Sequence, residues 1–358
     1  MTRFIVRRLL LTIPVLFGVI FVVFAAARIL PGDPCRAQLG ERATDAVCAD
    51  FNRRNGYDLP IPVQFTTYLG KLAEGDLGAS TKTSLPVTQL LVQRLPLTLE
   101  LTVYALAFAL LVGIPLGIIS AYKRNSPIDV VTMMVANLGV SIPIFVLGLL
   151  LAFVFGLLLR GTPFALPPSG RLTSGVSIRP LVEVWGLQAL AGPPRVLLDF
   201  TSNIYSLNAL ITGQWNVLAD AFRHMILPAV ALGTIPLAII ARITRSSLLD
   251  VLGQDYIRTA RAKGLPDIKV VTRHGVPNAM LPVVTVIGLQ LGGLLAGAVL
   301  TETIFNLAGV GLAVYDAITG RDFAVIQGFT VVIAVVYLLV NLAVDVSYAR
   351  LDPRIRLS

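Results

Sequence analysis

The sequence predicts an all-α polytopic membrane protein: six transmembrane helices, both termini on the cytoplasmic side, and two long external loops. Three observations carry that expectation. The mean hydropathy is +0.80, six separate apolar runs are each long enough to span a bilayer, and basic residues concentrate in alternate connections. Of the 358 residues, 55% are hydrophobic and 14% charged, whereas ordinary soluble domains carry about a quarter charged residues. That deficit excludes a soluble enzyme, a disordered chain and a nucleic-acid-binding module.

The first span is expected at 9–30. Arg7-Arg8, the apolar run and Ala25-Ala26-Ala27 also have the layout of a cleaved secretion signal. The run is too long for a signal core, however, and its removal would put the charged C-terminus on the wrong face. The second span is expected at 97–122 and the third at 130–159. The third is long enough to be tilted or broken, with Pro143 inside it. Spans at 225–243, 279–305 and 325–346 complete the set, and the chain reads as one membrane domain over 1–358.

Orientation follows from the connections. With the N-terminus inside, the cytoplasmic segments are 1–8, 123–129, 242–278 and 350–358. They hold fifteen Lys and Arg, from Arg3, Arg7 and Arg8 to Arg350, Arg354 and Arg356, against five Asp. The external segment 31–96 has seven of each sign, 160–224 has five bases and three acids, and 306–324 has one base and two acids. The net charge of +9 is thus a topology signal, and no nucleic-acid partner is needed to explain it.

Both cysteines, Cys35 and Cys48, fall in the first external loop. In an oxidising compartment the pair reads as a disulfide, with two buried thiols as the alternative. The second external loop is rich in Pro and Gly, as in Pro167-Pro168 and Gly192-Pro193-Pro194. It reads as an ordered elaboration with short helices, too small for an independent domain.

Motifs for chemistry are lacking. No G-x-x-x-x-G-K-[ST] loop and no H-E-x-x-H is present, and no cofactor is implied. The two histidines, His224 and His274, sit near membrane edges and read as structural. Arg28, Glu100, Glu302 and Asp345 lie within a turn or two of expected span ends, where snorkelling lowers their cost. No ionisable group sits at the midplane of several spans, which argues against an ion-coupled carrier. Asn137, Ser141 and Gln290 lie deeper and serve either a pathway or helix–helix bonding. Gly113-x-x-x-Gly117, Gly288-x-x-x-Gly292 and Gly293-x-x-x-Gly297 permit close helix approach, within one bundle or at a subunit interface.

The most informative stretch runs from Gln254 through Tyr256, Ile257, Arg258, Thr259, Ala260, Arg261, Ala262 and Lys263 to Gly264, Leu265 and Pro266. Good helix formers from Arg258 to Lys263, Gly264 placed to cap and Pro266 to stop predict a short helix. Ala260 and Gly264 are four apart, so they are expected to share one face. That face forms a shallow strip ringed by Arg258, Arg261 and Lys263, and an exposed helix of this kind reads as a docking element.

This segment resembles the EAA loop of ABC-importer permeases, E-A-A-x-x-x-G followed nine residues later by I-x-L-P. Ala260, Gly264 and Pro277 match that pattern. Its glutamate and first alanine fall on Arg258 and Thr259, so no role specific to that glutamate carries over. The form Y-I-R-T-A-R-A-K-G-L is similar to the version in the dipeptide/oligopeptide/nickel permease family. Four further stretches resemble the family's first, B-type permease. They are Phe4-Ile5-Val6-Arg7-Arg8 with Leu30-Pro31-Gly32-Asp33-Pro34; Pro167-Pro168-Ser169-Gly170-Arg171; His224-Met225-Ile226-Leu227-Pro228; and Glu302-Thr303-Ile304-Phe305 with Gly309-Val310-Gly311. The resemblance covers nearly the whole chain apart from about 175–206.

The resemblance implies one of two membrane subunits of an ATP-driven peptide importer in the bacterial cytoplasmic membrane. A second homologous permease would complete the pore, two cytosolic ABC ATPase subunits would supply energy, and an extracytoplasmic binding protein would deliver substrate. The chain itself would hydrolyse nothing. Tyr256 and Arg258–Gly264 would couple to the ATPases, and Glu302, Phe305, Gly309 and Gly311 would belong to the external gate. A same-family carrier of nickel or another small solute, or an ion-coupled secondary transporter, stands as the alternative.

Overall fold

The computed structural model describes residues 2–29, 34–40 and 42–351. Leu30, Pro31, Gly32, Asp33, Asp352, Arg354 and Arg356 lie outside them, as do the side chains of Arg3, Asp345 and Arg350.

The described chain is helical in sixteen α segments. They are α1 (Thr2–Ile29), α2 (Pro34–Leu39), α3 (Asp45–Asn55), α4 (Ile61–Ala73), α5 (Val87–Tyr122), α6 (Pro127–Ser141), α7 (Ile144–Leu151), α8 (Leu181–Val184), α9 (Pro193–Ser202) and α10 (Tyr205–Ile211). The remainder are α11 (Trp215–Leu252), α12 (Asp255–Ala262), α13 (Asp267–Lys269), α14 (Val276–Ile304), α15 (Val310–Gly320) and α16 (Phe323–Leu351). Looser π-helical turns, Ala152–Leu158 and Val270–Gly275, extend α7 and introduce α14.

Five helices are long and apolar enough to cross a membrane, and a bent pair gives a sixth if it is one span. That pair is α6 with α7 and its extension, and it turns through 103°. The break falls at Ile142-Pro143. Pro143 has no N–H to continue the helical ladder and pushes the residue before it out of helical geometry. Ile142 accordingly has ψ 124°, in the extended region.

α5, α11 and α14 form the centre. Leu97, Leu101 and Ala105 of α5 meet Met225, Leu227 and Leu232 of α11 and Leu294 and Ala298 of α14. Farther along, Ala109, Leu237, Ile240 and Val283 continue the seam. Small residues set its closeness: a methyl on Gly113 would lie 2.8 Å from the Leu237 carbonyl oxygen, and one on Gly117 2.6 Å from that of Ala241. Gly288 and Gly292 face Val344 and Tyr337 of α16 in the same way. These glycines therefore pack helices within this chain, while Gly293 has open space around it.

The α12 end of the bundle carries one buried polar knot. Asp129 accepts two 2.8 Å bonds from Arg245, one from the Ser120 hydroxyl and one from the Asn125 N–H. It joins α5, α6 and α11. At the same end, Asn137 accepts from Arg242 of α11 at 2.8 Å, a bond between helices, while Ser141 donates to the Asn137 carbonyl within α6.

The far end holds the two long loops. In the first, Cys35 and Cys48 are joined by a disulfide that ties α2 to α3. The second contains α8, α9 and α10, packed on the start of α5 and α11. The connection 306–324, expected only as an external segment, holds α15.

Candidate functional site: an exposed loop at one end, buried carboxylates at the other

α12 begins at Asp255, three residues earlier than the sequence suggests, and gives way to Gly264 at φ +76°. That left-handed conformation suits glycine, so the chain turns there and proceeds to Pro266. The helix is amphipathic. Ile257 is 0% and Ala260 8% exposed, packed with Val270 and against Leu252.

The expected strip is therefore corrected. Ala260 points into the chain's own small core, and Gly264 lies past the helix end, so the two do not form one outward face. The reason is the i,i+3 pairing of Ile257 with Ala260, which gives α12 an apolar face and a packing role of its own.

What α12 presents outward is Tyr256, Arg258, Thr259, Arg261, Ala262 and Lys263, all exposed, with Gly264 following. Arg258 pairs with Asp255 at 3.3 Å and Arg261 with Asp267 at 3.0 Å, both in solvent, where such pairs contribute little. Leu265 and Ile268 are exposed beside them. They were missed in the sequence reading, although two apolar residues in so polar a loop were the available signal. The surface offers a basic ridge next to an apolar pair.

The far end contrasts with it. Glu302, at the end of α14, is 0% exposed. It accepts from the Thr98 hydroxyl at 2.6 Å and from the Leu312 N–H at 3.0 Å, while Thr98 also accepts from the Val310 N–H at 2.9 Å. Glu302 and Thr98 together cap the first turn of α15, satisfying N–H groups that have no partner within the helix. Gly309 and Gly311 make this possible: a methyl on Gly309 would collide with the Glu302 carboxylate, and one on Gly311 with the Val299 backbone. Phe305 is buried, and its carbonyl accepts from the Gly170 N–H at 2.9 Å. The residues read as a gate thus converge on one knot joining α5, α14, α15 and the second loop.

Glu100 forms a second knot. It is 4% exposed, 2.8 Å from the Arg171 guanidinium, and accepts from the Ser206 N–H at 2.7 Å. Arg171 also bonds the Asn203 carbonyl at 2.7 Å and lies over the Tyr205 ring. Burial pushes the Arg171 pKa below its usual value, and the adjacent Glu100 opposes that fall.

Snorkelling is thus the wrong description for Glu100 and Glu302. Both are buried among partners distant in sequence, which hydropathy cannot register. Arg28 is half-buried, donating to Gln64 at 3.0 Å and covering the Phe24 ring. His224 is buried with Nδ1 2.9 Å from the Asp220 carbonyl oxygen.

A bundle of membrane-length helices with a structured basic loop at one end and a hydrogen-bonded loop cluster at the other defines a multi-pass transport component. Residues 113–357 match the family described as the binding-protein-dependent transport system inner membrane component, and residues 1–102 match its N-terminal companion. The chain belongs to this family. It is the non-catalytic membrane component of a bacterial inner-membrane ABC importer, which works with a substrate-binding protein and with partner ATPases that hydrolyse ATP.

Among its relatives, the dipeptide transport system permease protein DppB of Escherichia coli K12 is 44% identical over 357 residues, 99% of each chain. DppB of Alkalihalophilus pseudofirmus is 42% identical over 356 residues, covering 99% of this chain and all of the relative. The probable D,D-dipeptide transport system permease protein DdpB of Escherichia coli K12 is 42% identical over 341 residues, 95% of this chain and 94% of the relative.

Proposed function

We propose that the chain forms half of the translocation pore of a dipeptide importer. A second, homologous permease supplies the other half, and two ATPase subunits bind below. The observation that carries the substrate class is full-length similarity to permeases named for dipeptides, 42–44% over 99% of this chain.

In this reading the α12 end faces the cytoplasm, in accord with its excess of Lys and Arg. The exposed ridge of Tyr256, Arg258, Thr259, Arg261, Lys263 and Gly264, with Leu265 and Ile268, docks on the ATPases. Ile257 and Ala260 anchor that ridge to Val270 at the foot of α14, so a push on α12 passes into a membrane helix. At the other face, the Glu302–Thr98 knot fixes α15 against α5 and α14 and sets the external gate.

The test is uptake of a labelled dipeptide by proteoliposomes holding the complex co-purified with this chain. ATP- and binding-protein-dependent uptake, with a second permease and P-loop ATPases identified by mass spectrometry, is the expected result. A homo-oligomer without ATPases that transports under an ion gradient would overturn the proposal.

A further inference from the structure

Between the far end of α1, the helices α3 and α4, and the start of α16 lies a cavity of about 390 Å³. Its charged lining is Arg28, Arg53, Arg54 and Lys71 against a single carboxylate, Asp76. Arg54 is engaged by Asp50 at 2.6 Å, whereas among the described residues no carboxylate forms an ion pair with Arg28, Arg53 or Lys71. Asp76 turns one oxygen to the Gly78 N–H at 2.8 Å.

Three polar atoms in the same walls are buried and have no hydrogen-bond partner among the described residues: the Gln327 side-chain nitrogen, the Tyr68 hydroxyl and the Thr81 hydroxyl. Gln327 is only 5% exposed, and an unpartnered buried donor is costly. Burial also pushes the Tyr68 hydroxyl up to about 12, so at neutral pH it remains a donor. All three can donate, and the surplus charge is positive. An acceptor-rich anion meets both the open donors and the surplus positive charge, whereas a neutral acceptor meets only the donors and a cation meets neither.

The surroundings narrow the anion. α1 is a membrane span little covered by the rest of the chain, and Phe17, Phe21, Val22 and Ile29 on it are exposed. Phe65 of α4 packs on Phe17, Phe21 and Phe24, so α4 and the cavity wall lie alongside the span rather than above it in free solution. Arg28 itself stands where an apolar helix meets its polar continuation, the level of lipid headgroups.

We propose that this cavity binds the phosphate of an anionic phospholipid headgroup, whose acyl chains then run along the exposed face of α1. The phosphate oxygens accept from Gln327, Tyr68 and Thr81 and are neutralised by Arg28, Arg53 and Lys71, the usual chemistry of phosphate recognition. A free phosphate offers the same acceptors without the acyl chains, and the experiment separates the two.

The complex is purified in mild detergent, incubated with mixed micelles containing phosphatidylglycerol or phosphatidylcholine, or with inorganic phosphate alone, and examined by native mass spectrometry. The expected result is one retained phosphatidylglycerol on this subunit, with phosphatidylcholine retained more weakly. Arg53→Glu with Lys71→Glu, both at exposed positions, should lower that retention at least about tenfold, the loss expected from even one charge-assisted hydrogen bond. Gln327→Met should lower it without any change of charge. Arg179→Glu, an exposed cation at the same end but outside the cavity, should not. Equal retention in the Arg53/Lys71 variant and the parent, or loss with Arg179→Glu as large as with Arg53→Glu/Lys71→Glu, would overturn the proposal. Binding of inorganic phosphate that displaces no lipid would reassign the cavity to a soluble anion.

Discussion

The Glu100 and Glu302 cluster at the far end and the α12 loop at the other handle charge in opposite ways, although the α12 end also holds buried Asp129 paired with Arg245. At the far end, Glu100 and Glu302 are withdrawn from solvent and each is held by several partners from other segments. At the α12 end, Arg258, Arg261 and Lys263 stand in water, loosely paired or unpaired with carboxylates. A buried carboxylate with all its bonds made rigidifies the helices it joins, and it is costly to disturb. Exposed cations stabilise little and remain free to meet a partner. The far-end cluster holds its geometry through buried bonds, and the α12 loop leaves its cations in water, as the proposed docking requires.

That contrast can be broken by mutation, and the largest effect is expected at Arg171. Arg171→Met strands Glu100 as an uncompensated buried charge and should destabilise the protein by about 3–5 kcal/mol, read as a large fall in Tm of the purified complex. Glu302→Leu removes the acceptor for Thr98 and the Leu312 N–H, and should cost on the order of 3 kcal/mol. Its Tm loss should be matched by faster proteolysis around α15.

Cys35→Ser with Cys48→Ser releases a short loop, with a cost of about 3 kcal/mol by chain entropy. Because the bond joins only α2 and α3, that cost should appear as local protease sensitivity between 34 and 56, leaving the membrane helices intact. At the other end, Arg258→Glu with Arg261→Glu should change stability by no more than about 0.5 kcal/mol while dipeptide uptake falls and ATPase activity becomes independent of substrate. Gly264→Val sharpens the comparison. Its left-handed backbone penalises a side chain by about 1–2 kcal/mol, in open space, so it should impair coupling more than stability.

Much of the fold could be read directly from the sequence because membrane burial leaves long apolar runs. The break at Pro143 followed from proline's missing N–H. α5 and α11 run well past their apolar windows, to Val87 and back to Trp215, since helix propensity and packing continue where hydropathy fades.

The sites were less legible. The short helix α12 showed in its helix formers, Gly264 and Pro266. The burial of Ala260 does not show there because its neighbour Ile257 lies outside the helix expected from Arg258 to Lys263, whereas α12 begins at Asp255. The roles of Glu100 and Glu302 depended on Arg171 and Thr98, which lie 71 and 204 positions away. No local pattern encodes such a pairing. Gly309 and Gly311 were visible as glycines, while the carboxylate that requires them was not.

Docking of α12 on an ATPase is the claim on which the rest of the transport account depends. The chain's only cysteines, Cys35 and Cys48, are bonded to each other, so Lys263→Cys introduces a single free thiol. Labelled there with a benzophenone maleimide and irradiated within the assembled complex, it should form an adduct with an ATPase subunit. The same label at Glu74→Cys, on the far end, should form none. No ATPase adduct from position 263, or equal adducts from both positions, would contradict the account.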